Sequence, residues 1–291
     1  MISESNNFEC ITPCFCAGAD PARAEIRAPS IRGELRWWFR ALGGTREQEV
    51  SVFGGSQPKP TASSIRCRVG EHQLQRLAAL PSFDQNNPIS YVLHFAKVSG
   101  KSSGSSGPRW QTEGCAAPGT KFPLEVMQIR GLQDESAAML NRSLAAFKAF
   151  GSIGLRITRG LGALQAAEVS DAVRSETIRM LQDTGFVVVP LGEFRDSTRT
   201  GAKAWELCAK ETGRFLKEEL RALYKAKPHN HSALGLSDPR QTSAIRLRPV
   251  RLDSGALQLY ALEAPHERTL GAKSRKAHSS SRSLLKEVGL A

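Results

Sequence analysis

Residues 31–42, IRGELRWWFRAL, narrow the folds open to this chain more than any other segment. At about 100° per residue, Ile31, Leu35, Trp38, Phe39 and Leu42 fall on one stripe, the pattern of a helix laid against a sheet. The preceding Pro29-Ser30 reads as the helix start, with Ser30 as N-cap. Arg32, Arg36 and Arg40 follow an i, i+4, i+8 ridge along the neighbouring flank. Like charges at that spacing cost roughly a few tenths of a kcal/mol per pair, so the ridge predicts something anionic beside it. Trp37 points about 140° away from the centre of the stripe. The helix's own core does not account for it, which leaves stacking on a base or an interface with another subunit.

A sheet to receive the helix is visible on both sides of it. Residues 8–16 mix aromatic, β-branched and small apolar side chains and run into Gly18 and Asp20-Pro21, as a strand does on entering a loop. SIRCRV (64–69) alternates apolar and polar residues, YVLHFAKV (91–98) offers another strand, and FPLEVMQIR (122–130) a third. Leu140 to Phe150 has helical spacing and stops at Gly151. Strand, helix, strands and a second helix make the βαββαβ order of a ferredoxin-like domain, an antiparallel sheet backed by two helices. Beyond Gly185, FVVVP reads as a buried strand, residues 202–226 as a long amphipathic helix, and AIRLRPVRL with ALQLYALE as a hairpin turning at Asp253-Ser-Gly.

At 291 residues the chain is long for one domain, and two domains or a duplicated unit are expected. The division expected is a first domain over 1–184, carrying a flexible Ser/Gly insertion at 99–108, an α+β domain over 185–270, and a basic tail over 271–291. That tail is expected to be disordered apart from a short terminal helix. The fold class is thus α+β, with tandem ferredoxin-like (RRM-like) domains, antiparallel sheets and a glycine-rich loop.

Forty Lys and Arg against twenty-eight Asp and Glu give a formal net charge of +12, which favours a polyanionic partner. No apolar run approaches the ~18 residues needed to span a bilayer, so nucleic acid and not membrane is the expected partner. The N-terminal residues MISESNNFEC show neither a secretory signal nor an anchor, which points to a cytoplasmic location. Cys10, Cys14, Cys16, Cys67, Cys115 and Cys208 contain no CxxC pair and read as reduced, structural thiols. The first three share one face if they lie on one strand, yet they lack the usual zinc spacings.

The loop GSIGLRITRGLGAL (151–164) sets four glycines around Arg156 and Arg159, a combination able to bring backbone N–H groups to phosphates. It matches neither the dinucleotide nor the Walker pattern, so no nucleotide cofactor is expected.

Together, AEIRAPSIRGELRWWFRAL, the following VFGG and this loop resemble the RAMP superfamily of CRISPR RNA-binding proteins, and within it the first subunits of Cmr, or type III-B, effector complexes. The likeness spans about residues 8–165, and LGLSDPRQTSAIRLRPV (234–250) resembles a second family signature. The resemblance implies tandem ferredoxin-like domains and a non-catalytic place at one end of a guide-RNA ribonucleoprotein, in contact with guide RNA, target RNA and other RAMP-type subunits. In such particles base pairing supplies sequence specificity, while protein holds backbone and shape. It also implies RNA or interface contacts at Arg27, Ser30, Arg32, Gly33, Arg36, Trp37, Trp38 and Arg40, and at Gly154, Arg156, Arg159, Gly160 and Gly162. No metal or cofactor is implied.

Two other readings stay open. An endoribonuclease would use Asp20, in GADP, to hold a divalent ion, or His229 or His231, in HNH, as general base. A purely structural subunit would turn Trp37 and the arginine ridge toward acidic neighbouring proteins.

Overall fold

The computed structural model describes residues 3–56, 59–81, 84, 86–98, 109–110, 112–222, 234, 242–270 and 283–290. In chain order its elements are β1 (Ser3–Cys10), β2 (Cys14–Phe15), α1 (Ala28–Ala41), α2 (Arg46–Phe53), β3 (Ile65–Val69), α3 (Ile89–Leu93), β4 (Lys97–Val98), β5 (Arg109–Trp110), β6 (Cys115–Ala116), β7 (Lys121–Gln128), α4 (Asp134–Phe150), β8 (Gly151–Ser152), β9 (Ala163–Ala166), α5 (Asp171–Asp183), β10 (Val187–Phe194), α6 (Ala204–Arg214), β11 (Ile245–Arg251) and β12 (Leu257–Glu263).

β1 is the strand around which the first sheet is assembled. It pairs antiparallel with β7, from Ser3 opposite Met127 to Glu9 opposite Lys121, and with β9, Phe8 opposite Ala166. The full order is β3-β7-β1-β9-β8. Period-two alternation turns Phe8, Cys10, Phe122, Leu124 and Val126 to one face, where α1 and α4 cover them with Ile31, Leu35, Trp38, Leu140 and Phe147. Each such large apolar side chain contributes about 1.5–3 kcal/mol on burial. The opposite face carries exposed Ser3, Ser5, Asn7, Arg66, Arg68 and Lys121.

The second sheet has the order β10-β12-β11, again antiparallel, with α6 between β10 and β11. Strand, helix, then a hairpin whose second strand returns to the centre is also how β1, α1, β3 and β7 are arranged. The hairpin at Asp253-Ser-Gly forms as expected. The cores of the two sheets interleave: Phe186, Val188, Val250 and Leu262 join the first, while Ile11, Phe15, Leu161 and Ala163 join the second.

Several elements differ from the sequence reading. The strand expected over 91–98 is the helix α3 followed by a 3-10 turn at His94–Ala96, with only Lys97–Val98 extended. Asn87 starts it, its side-chain oxygen accepting from the Ile89 N–H at 3.2 Å, and buried Ile89, Val92, Leu93 and Ala96 make a helical i, i+3, i+4, i+7 stripe. The strand over 8–16 is broken between β1 and β2, although Cys10, Cys14 and Cys16 are all buried. α1 begins before Ser30: its N-cap is Arg27, without a side-chain cap, and Pro29 occupies the first turn, where a missing N–H costs nothing. α2, a helix the sequence reading does not include, is set by a capping box between Thr45 and Gln48. α5 had no counterpart in the sequence reading. The helix expected over 202–226 is α6 with a π-helical turn at Phe215–Leu220, and its end falls outside the described residues.

The 99–108 insertion and residues 271–282 also lie outside the described residues. The short terminal helix expected in the tail lies within residues 283–290. The short helix at Leu284–Glu287 is docked, with Leu284 and Leu285 buried. The Glu263 carboxylate accepts from the Leu284 and Leu285 N–H groups, both at 2.9 Å, and from Ser283 Oγ at 2.5 Å. Burial raises the pKa of Glu263, but these bonds and His266 hold it below its ordinary value.

The two sheets are tied by arginines of β11. Arg246 is buried; its Nη1 lies 2.5 Å from Glu34 Oε2 of α1, and its guanidinium sits 3.2 Å from the centroid of the Trp37 ring. Removing one partner of a buried pair strands the other charge, so Glu34→Ala is expected to cost about 3–5 kcal/mol in urea unfolding. The double replacement Glu34→Leu with Arg246→Met should recover most of that loss, since volume is kept and no charge is left buried.

Candidate nucleic-acid interface

The anionic neighbour demanded by the arginine ridge is Glu49 of α2. Its side chain is 2% exposed; Oε1 lies 2.9 Å from Arg36, 3.2 Å from Arg40 and 3.5 Å from Arg46. One carboxylate thus serves three guanidiniums, and the side chains of Arg40 and Arg46 remain 47% and 60% exposed. Arg32 donates to the Phe53 carbonyl at the end of α2. The ridge is held in place by these contacts and is still strongly positive toward solvent.

Arg32 and Arg36 line a groove of about 420 Å³ between α1 and β3, with Pro29 and Gly33 beside them and Ile65 and Cys67 opposite, and with Arg66, whose side chain belongs to the outer face of the sheet, at its border. Arg66 was not anticipated; the alternation in SIRCRV, which puts Arg66 and Arg68 on one exposed face, is the signal that finds it.

Gly33 also borders a cleft on the other flank of α1, about 560 Å³ in volume, whose opposite wall is the glycine-rich loop. Ser30 and Glu34 of α1 face Ile153, Gly154, Leu155 and Ile157 across it, with Phe15, Cys16, Phe95 and Glu113 completing the lining. Gly33 is exposed, and a Cβ there would meet nothing within 4 Å. Glycine inside a helix costs roughly 1 kcal/mol relative to alanine, and nothing in the packing requires it here.

The loop is a rigid wall. The N–H groups of Ile153, Leu155 and Gly162 donate to the carbonyls of Gly162, Phe15 and Pro13 at 2.9–3.0 Å. Thr12 Oγ1 donates to the Gly160 carbonyl and accepts from the Ala163 N–H. These donors are used within the fold and are not turned to a ligand. Gly154, at φ 90°, would place a Cβ 2.4 Å from the Phe15 carbonyl oxygen, so glycine is required there. Arg156, at φ 59°, sets its guanidinium 5.6 Å from the centroid of Phe95, and Arg159 sits 4.6 Å from that of Tyr91. Burial lowers the pKa of Arg156, with a further push from Arg159. From beneath, buried Arg248 donates to the carbonyls of Phe150 and Ile157.

The residues singled out from the sequence therefore separate. Ser30, Gly33 and Gly154 meet at the cleft, and Arg32, Gly33 and Arg36 at the groove. Arg40 stands past the groove at Glu49, and Arg27 is exposed beside Glu25 at 3.9 Å. Gly160 and Gly162 are buried. Trp38 is fully buried, as its stripe requires, and Trp37 is half-buried with one ring face under Arg246. Asp20 is exposed and its carboxylate caps the Ala22 N–H at 2.9 Å. His229 and His231 lie outside the described residues. Among the described residues no group of three or more His, Cys, Asp or Glu is placed to hold a metal, and no helix is long and apolar enough to cross a membrane.

The RAMP superfamily model matches residues 7–165. The CRISPR system Cmr subunit Cmr1-1 of Pyrococcus furiosus is 27% identical over 186 residues, 60% of this chain and 49% of that protein. Cmr1-2 of the same organism is 39% identical over 62 residues, 18% of this chain and 33% of that protein. The aligned part thus spans half or less of the length of these curated relatives. The crystal structure of Cmr1 from Pyrococcus furiosus in its apo form has a TM-score of 0.53 at 20% identity, covering 91% of this chain and 88% of that one. A cryo-EM structure of the type III-B Cmr-beta bound to cognate target RNA contains a chain with a TM-score of 0.54 at 11% identity, with 98% of each covered. At these identities the two structures share the fold.

Proposed function

The chain belongs to the RAMP superfamily, and on that premise we propose that it is a non-catalytic RNA-binding subunit of a CRISPR RNA-guided ribonucleoprotein. It assembles with other RAMP-type subunits and helps to hold guide RNA or target RNA near one end of the particle. The observation that carries this reading is the arginine ridge of α1, where one buried carboxylate, Glu49, fixes Arg36 and Arg40 of the ridge together with Arg46 of α2 without neutralising them. Such an array is positioned by the fold and keeps its charge for phosphate. The Cmr names and the target-RNA complex among the similar proteins support the same reading.

In this reading each sheet belongs to a ferredoxin-like unit, the first over 1–184 and the second, shortened to its first strand, helix and hairpin, from 185. The arginine groove, and not the exposed face of β1, carries the RNA. The exposed positions of β1 are Ser3, Ser5 and Asn7, which offer no aromatic ring for a base.

Salt-dependent binding of single-stranded RNA by the purified chain tests the proposal. Arg40→Ala with Arg66→Ala should weaken binding and reduce the slope of log K against log salt by about 0.7 for each lost phosphate contact. An unchanged slope would remove phosphate contact at this ridge. Specific cleavage of the RNA in magnesium, absent with chelator, would replace the reading by the nuclease one.

Gly33→Ala gives a second measurement whose two readouts move oppositely. The free protein should be stabilised by about 0.5–1 kcal/mol through helix propensity, while RNA binding weakens because a methyl group enters the approach between groove and cleft.

A further inference from the structure

The arginine groove accounts for phosphates but leaves the cleft on the other flank of α1 without an occupant. Resting on the RNA-binding reading above, we propose that this cleft receives one unstacked nucleobase of the bound strand. Its chemistry differs from that of the groove. None of the described residues lining it is Lys or Arg, and two are glutamates, Glu34 and Glu113, so the lining offers a phosphate no cation of its own. Glu34 is engaged by Arg246, whereas Glu113 is exposed at the rim as an acceptor. A neutral planar group with N–H donors fits such a site.

The walls suit an aromatic ligand. Phe95 is half-buried and held edge-on against Phe15, with centroids 4.9 Å apart and an interplanar angle of 86°. Arg156 stacks at Phe95, and Leu155 is left 57% exposed at the mouth although it is aliphatic. The volume of about 560 Å³ lies within the range of roughly 300–1,000 Å³ typical of small-molecule sites. Gly33 alone among the described α1 residues separating groove and cleft lacks a side chain. A strand crossing α1 at that saddle sets phosphates on Arg32, Arg36 and Arg66 and turns a base toward Phe95. Stacking is tolerant of sequence, while Glu113 favours bases that present an amino group, so adenine, cytosine and guanine should exceed uracil.

An abasic scan along a short single-stranded RNA, bound to the full chain, tests this. One position should lose about tenfold in affinity when its base is removed, with the salt slope unchanged because the phosphates remain. Phe95→Ala should abolish that positional effect, and so should Leu155→Glu, which lies in solvent and leaves the fold intact by circular dichroism. A flat scan with normal salt-dependent binding overturns the base site and leaves the RNA-binding reading standing. A positional effect that persists in both variants also overturns it. Absence of any RNA affinity overturns both. A photoreactive analogue in place of Leu155 should crosslink to RNA in the assembled particle; crosslinking to a neighbouring subunit instead assigns the cleft to a protein side chain and overturns the proposal.

Discussion

The arrangement of this molecule depends on two buried guanidiniums in one strand. Arg246 and Arg248 are separated by one residue on β11, and both are buried. Arg246 reaches Glu34 and Trp37 on α1, and Arg248 holds the carbonyls of Phe150 and Ile157 at the two ends of the first part of the glycine-rich loop. Taking these charges out of water is costly, and the cost is offset only while every partner stays in place. Burial lowers the pKa of Arg248 to about 9, which still leaves it charged at neutral pH. The second sheet therefore works as a jig that fixes how far α1 stands from the loop, and the cleft between them is a product of that distance. Interleaving of the two apolar cores follows, because neither sheet can move away without stranding the arginines.

α1 then separates two kinds of environment. On one flank Glu49 gathers guanidiniums that would otherwise repel one another; on the other, uncharged and acidic side chains face the loop. The dividing line passes through Gly33. A nucleic-acid strand has the same polarity across its width, with charge along the backbone and neutral rings to the side. The match requires no charge beyond what the ridge already exposes, and the donors used to shape the loop are not needed for binding.

How much of this the sequence disclosed depended on the range of each interaction. The apolar stripe of α1 and the hairpin at Asp253-Ser-Gly are set by neighbours in the chain, and both were legible. Trp37 was legible only as an anomaly. Helical geometry correctly set it apart from the stripe, but its partner Arg246 belongs to a strand paired with Glu34 across 212 residues of sequence. Glu49 was missed for a related reason. It lies in α2, whose weak amphipathicity hid a helix that the Thr45-Gln48 capping box announces. α3 was misread because Tyr91, Val92 and Phe95 have β-favouring side chains, while the asparagine and proline ahead of them, and burial of one stripe, decide for helix. Charge predicted a polyanion partner without locating the groove, since Arg66 borders it only because β3 takes the edge of the sheet.

The glycines of the RAMP-like motifs show why motif residues do not form one class. Gly154 and Gly162 are dictated by the fold: at each, a Cβ would fall within 2.4 Å of a backbone carbonyl oxygen, and the loop would have to reopen to accept one. Gly33 is subject to no such demand, and the helix would be more stable with almost any other residue. A position where the free protein gives up stability without a steric reason is a place to look for close approach by a ligand. The loop glycines therefore report on how the cleft is built, and Gly33 marks where the proposed strand would cross α1.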